Sequence, residues 1–154
     1  MLFEEPLRSA IKTLLQVKPG ATQVFKVVEW GISFDASVAA APGICELGVA
    51  DVAATVTAHA ASGIHKYNSG AIASGDPTTA LFAVGTTATG YTATGEGTIT
   101  AWRLADVQQI APTNQTWFQF PLGREFIINP SEFLRVRVKF AATVNAICYV
   151  LLEA

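Results

Sequence analysis

Hydrophobic and polar positions alternate along much of this chain with a period of two, most clearly over residues 133–152. Leu134, Val136, Val138 and Phe140 alternate with Arg135, Arg137 and Lys139, which puts apolar groups on one face of a strand and cations on the other. After Ala141-Ala142-Thr143 the chain is apolar at both parities. Val144, Ala146, Cys148 and Val150 fall on one face, and Ile147, Tyr149 and Leu151 on the other. A strand apolar on both faces needs cover on both. The pattern predicts a closing hairpin whose last strand is central or lies in an interface.

Upstream, Val24, Val28, Trp30, Ile32 and Phe34 share one parity, with Lys26 the exception, and predict a strand over 24–34. Further strands are expected over 44–49 and 54–60, and then over 97–104, 116–122 and 126–128, separated by turns at Pro42-Gly43, Pro112-Thr113-Asn114 and Asn129-Pro130. Residues 61–97 are rich in Gly, Ser, Thr and Ala; they read as long loops around one short apolar piece at 80–84. At the start, Leu7, Ala10, Ile11, Leu14 and Leu15 fit helical spacing, while Ile11, Thr13, Leu15 and Val17 also alternate as a strand would. Residues 1–21 are therefore expected to be an N-terminal arm, helical or extended, ahead of a single domain over 22–154. About eight strands and no internal helix predict an all-β, eight-stranded jelly-roll β-sandwich, with an immunoglobulin-like sandwich as the alternative.

Composition sharpens this picture. Only 14% of the 154 residues are charged, against 51% hydrophobic, where soluble domains average about 25% charged. A globule of this size exposes roughly 7,500 Å², which ten basic and twelve acidic side chains cover thinly. An Ala-rich chain explains part of this. Surface packed against other subunits explains more of it. A formal charge of −2 gives no long-range pull toward nucleic acid. No apolar run reaches membrane-spanning length, and the first residues do not resemble a secretory signal.

Candidate chemistry is sparse. His59 and His65 lie six apart, with Asp51, Asp76 and Glu96 as possible carboxylates, but a metal-binding jelly roll needs histidines two apart on one strand. No metal, cofactor or catalytic residue is expected. Cys45 and Cys148 read as buried free thiols, not a nucleophile or a disulfide. The stripe of Arg135, Arg137 and Lys139 is either a solvated face or an inter-subunit contact. Trp102, Trp117, Phe118 and Phe120 read as core aromatics.

Several segments carry a family resemblance: Val27-Val28-Glu29-Trp30-Gly31-Ile32-Ser33-Phe34-Asp35, Ala88-Thr89-Gly90-Tyr91-Thr92-Ala93-Thr94-Gly95-Glu96-Gly97-Thr98, Pro121-Leu122-Gly123-Arg124-Glu125 and Leu134-Arg135-Val136-Arg137-Val138. Over residues 24–153 the chain resembles small jelly-roll proteins of tailed bacteriophages, the capsid decoration or cement proteins. The resemblance implies a non-enzymatic homotrimer on the outer surface of the virion, seated at three-fold and quasi-three-fold positions. There it would bridge copies of the major capsid protein, with no direct contact to nucleic acid or membrane. Contacts are expected from the arm (Leu7, Ile11, Leu14, Leu15) and from the 61–97 loops, including Tyr67 and Tyr91. Three other readings stay open: a carbohydrate-binding jelly roll using Tyr67, Tyr91 or Trp102, a cupin-like enzyme, and a tail or connector component.

Overall fold

In the computed structural model, which describes residues 11–36, 41–60, 64–65, 81–141 and 144–154, the alternating segments form ten strands. They are β1 (Lys12–Val17), β2 (Phe25–Phe34), β3 (Gly43–Ala50), β4 (Thr55–Ala58), β5 (Gly90–Gly95), β6 (Trp102–Ile110), β7 (Gln115–Gln119), β8 (Phe126–Ile128), β9 (Phe133–Lys139) and β10 (Ala146–Glu153). All pair antiparallel, in a large sheet of order β4-β5-β1-β9-β3-β6 and a small one in which β2 lies between β10 on one side and β7 and β8 on the other. The chain is an all-β protein of two stacked antiparallel sheets, with ten strands in place of the expected eight.

The inner faces meet in one apolar core. Phe25, Val27, Trp30 and Ile32 of the small sheet pack with Val17, Cys45, Leu47, Val49, Leu134 and Val136 of the large one. Burying side chains of this size stabilises the fold by about 1.5–3 kcal/mol each. The exceptional Lys26 now has an explanation. The register between β2 and β10 shifts between Leu151 and Leu152, so β2 carries an extra residue at Val28. Such a bulge reverses the parity: Phe25 and Val27 point inward before it, Trp30 and Ile32 after it, and Lys26 faces solvent.

Two expectations about the ends of the chain need correcting. Residues 133–152 do not form a hairpin. β9 lies between β1 and β3 in the large sheet, and β10 lies at the edge of the small one. The chain therefore arches from sheet to sheet, pinned where the Asn145 N–H and side-chain amide donate to the Asp35 carboxylate at 3.1 and 2.9 Å. Nor is 1–21 an arm throughout. β1 is an interior strand, paired with β5 and β9, because its inward Leu15 and Val17 need the core as much as any later strand does. The strand reading of 11–17 is the one the fold adopts. Residues 1–10 lie outside the described residues.

Candidate binding face

The two sheets treat their outer faces differently. On the large sheet, the alternation that sends Leu134 and Val136 inward sends Arg135 and Arg137 outward, yet both guanidinium groups are buried. They are covered by two segments that cross this face, residues 51–54 leaving β3 and 96–101 leaving β5. Arg135 joins the two: Nη2 donates to the Val52 carbonyl, and Nη1 donates to the Glu96 carbonyl at 2.9 Å and its carboxylate at 3.3 Å. The same carboxylate accepts from the Thr13 N–H and hydroxyl, each at 2.5 Å. Gln16 fastens the first crossover, its amide oxygen accepting from the Ala54 N–H at 2.8 Å and its Nε2 donating to the Ala88 carbonyl at 2.7 Å. Buried polar atoms require such partners. Arg137 pairs with the buried Glu46 and lies 3.6 Å from the centroid of Trp102. Burial lowers the Arg135 pKa, and Glu96 opposes that shift. Arg135 and Arg137 of the basic stripe thus form neither a solvated face nor an open contact surface, and only Lys139 is half-exposed. Arg135 fastens the crossovers, and Arg137 is enclosed between Glu46 and Trp102.

The small sheet's outer face has no such covering among the described residues. Strand pairing aligns four outward rows across it: Ile147, Ser33 and Gln115; Tyr149, Gly31 and Trp117; Leu151, Glu29 and Gln119; and, beyond the bulge, Glu153, Lys26 and Ile127. Ile147 is 77% exposed, Trp117 63% and Tyr149 45%. The Tyr149 ring crosses directly over Gly31, where a Cβ would lie 2.5 Å from its Cε1. Its hydroxyl donates to Glu29 Oε1 at 2.5 Å. Burial and that bond push the Tyr149 phenol up to about 12. Beside the first row, a shallow open depression of about 290 Å³ is lined by Ser33, Phe34, Thr113, Asn114 and Gln115.

At the edge of this sheet β7 and β8 read as one strand interrupted opposite Val28. The chain leaves the sheet through Pro121-Leu122-Gly123-Arg124, a turn closed by the Arg124 N–H on the Pro121 carbonyl at 2.9 Å. Gly123, at φ 79°, takes the left-handed position of a type II turn. Glu125 braces it by accepting from the Gly123 N–H at 2.9 Å. The turn presents Leu122, which is 96% exposed.

The residues singled out from sequence fare unevenly. Leu14 and Leu15 pack against the core and offer little contact surface, while Ile11 is half-buried just ahead of β1. Leu7 and Tyr67 lie outside the described residues. Tyr91 is exposed on β5, its ring 5.0 Å from that of His59. Trp102 is pressed between Arg137 and Gly48 and presents no free stacking surface. Trp117 and Phe118 are not core aromatics. Phe118 leans on Phe120 at 5.1 Å and stays partly exposed, and Trp117 points outward. Adjacent aromatics on one strand must face opposite ways, and that signal was available. Burial pushes the Cys45 thiol up to about 12, with nearby Cys148 adding to it, and Cys148 up to about 11, so both stay protonated and serve as packing. Among the described residues no three His, Cys, Asp or Glu side chains gather into a metal site, and no helix is long and apolar enough to cross a membrane.

Set against known proteins, the chain matches no family model, no curated protein and no solved structure.

Proposed function

We propose that this protein is a structural component of a bacteriophage virion, a jelly-roll relative that binds the outside of the capsid as a homotrimer and stabilises the shell. The observation that supports this reading is the placement of exposed apolar groups on the two opposite edges of the small sheet. One edge is β10, which pairs only with β2 among the described residues and carries Ile147. The other is the β7–β8 edge with its braced Leu122 turn. A ring of three is built from heterologous contacts, in which one side of each subunit meets the other side of the next. Two different apolar edges on one sheet suit that arrangement. A self-complementary dimer would need only one.

In this reading each trimer bridges neighbouring copies of the major capsid protein. Surface is then buried on the assembled lattice and not on free subunits. Binding energy gained only in the closed shell raises its stability by mass action, and many copies with interfaces of ordinary size multiply the effect. The test is the molar mass of the purified protein by light scattering, with and without expanded empty capsids. A trimer that co-sediments with shells is the expected result. Ile147→Asp and Leu122→Asp should each shift the mass toward the monomer. A monomeric wild type that ignores capsids overturns the reading.

A further inference from the structure

We propose that the centre of the small sheet's outer face is a binding site for a neutral saccharide, formed by Trp117, the Tyr149 ring over Gly31, and the Ser33–Asn114–Gln115 depression beside them. Three features converge on that ligand class. First, two aromatic rings flank a glycine in one row, with Tyr149 held over Gly31 by its bond to Glu29. The Tyr149 ring reaches from β10 over the middle strand, so the row offers two aromatic surfaces on neighbouring strands, one spacing of about 5 Å apart. Aromatic faces of this kind bind the C–H surfaces of pyranose rings while leaving the sugar hydroxyls free.

Second, the hydroxyl-binding groups stand where a stacked sugar would present its rim. Gln115 and Gln119 flank Trp117 on the same face of β7, and Ser33 and Asn114 line the adjoining depression. Planar amides and hydroxyls offer donors and acceptors together, as a polyol requires. Third, the charge is wrong for phosphate-bearing ligands. None of the outward positions in the first three rows is cationic, and their one charged group, Glu29, is acidic and already bonded to Tyr149. Nucleic acids bind chiefly through phosphate contacts to cations, and the one cation on this face, Lys26, stands in the next row beside the acidic Glu153, away from the Ser33–Gln115 depression.

The site does not depend on the trimer reading. The two surfaces adjoin at β10, where Ile147 stands one row from Tyr149 on the same face, but Trp117 lies on β7 and is neither edge marker, so its variant separates the two readings. The test is titration of the full chain with cellopentaose, maltopentaose and the tetramer of N-acetylglucosamine, following tryptophan fluorescence and NMR shifts, with molar mass recorded on the same samples. At least one sugar should bind saturably. Trp117→Ala should weaken it on the order of ten-fold, the loss of about one stacked ring, with the molar mass unchanged. Gly31→Val, which displaces the Tyr149 ring but leaves Trp117 in place, should weaken it as well. The proposal is overturned if no sugar binds at millimolar concentration, or if binding survives in both variants. It is also overturned if a proline-rich peptide or single-stranded DNA occupies the Trp117 face in preference to all three sugars.

Discussion

The two outer faces of the sandwich begin from similar strand patterns and end differently. On the large sheet, Arg135, Arg137, Gln16 and Thr13 look polar and solvent-seeking, yet they are buried beneath the molecule's own crossovers. On the small sheet, Trp117, Ile147 and Tyr149 look like core residues, yet they meet solvent. Polarity alone therefore inverts the assignment of the two faces. The face a fold covers with its own chain needs polar side chains, because the covering backbone brings carbonyls and N–H groups that must be bonded. The face left open is free to carry apolar groups for something outside the chain.

The largest effect should come from breaking the covered face. Arg135→Ala leaves two backbone carbonyls and the Glu96 carboxylate without their cation, and should cost about 3–5 kcal/mol in a denaturant titration. Trp117→Ala, which removes a bigger side chain from the open face, should stay within about 0.5 kcal/mol. If the two variants lose equal stability, the contrast between the faces is wrong.

A matched pair of glycines sharpens the comparison. A Cβ on Gly48 would lie 2.5 Å from the Trp102 ring and 2.8 Å from the Arg103 carbonyl, whereas the three atoms nearest to one on Gly31 all belong to the Tyr149 side chain. Gly48→Val should destabilise by about 1–3 kcal/mol. Gly31→Val should cost about 0.5 kcal/mol or less, because the half-exposed tyrosine can swing away. Thermal unfolding of the two variants side by side reads the difference directly.

The smallest effect is a titration. Tyr149 should ionise near pH 12 by ultraviolet absorbance, and Glu29→Gln should move it back toward the ordinary value of 10. The unfolded chain releases this proton near 10 and the folded chain holds it to about 12. The contribution to stability is thus complete below pH 10 and lost as pH rises through that window. A Tyr149 that titrates at 10 in the wild type would mean that the ring is not held over Gly31.

How legible all this was depended on whether a feature is local. The alternation in β9 correctly put Leu134 and Val136 in the core, and the adjacency of Trp117 and Phe118 already required one outward aromatic. What covers a face is another matter. Arg135 is buried because residues 52 and 96 reach it from far along the chain, and no periodicity in β9 records that. The Gly- and Thr-rich β5 shows no apolar face of its own, and becomes a strand by pairing with β1 and β4. The connection from β9 to β10 has a length that serves a hairpin or a sheet-to-sheet arch equally well. The candidate site was hidden for a related reason: its rows join residues from β2, β7 and β10, three distant segments.

The position of β9 also bears on how the molecule comes into being. Its strand fills the gap between β1 and β3, with Val138 beside Lys12 and Arg137 beside Glu46. Until β9 leaves the ribosome the large sheet is two separate pieces with open edges, and both crossovers lack the cation that fastens them. Pairings between opposite ends of a sequence form slowly, and unpaired edges invite association with other chains. A nascent chain stalled before residue 133 should therefore be protease-sensitive and prone to aggregate, and protection should appear abruptly once residues 133–154 have been made.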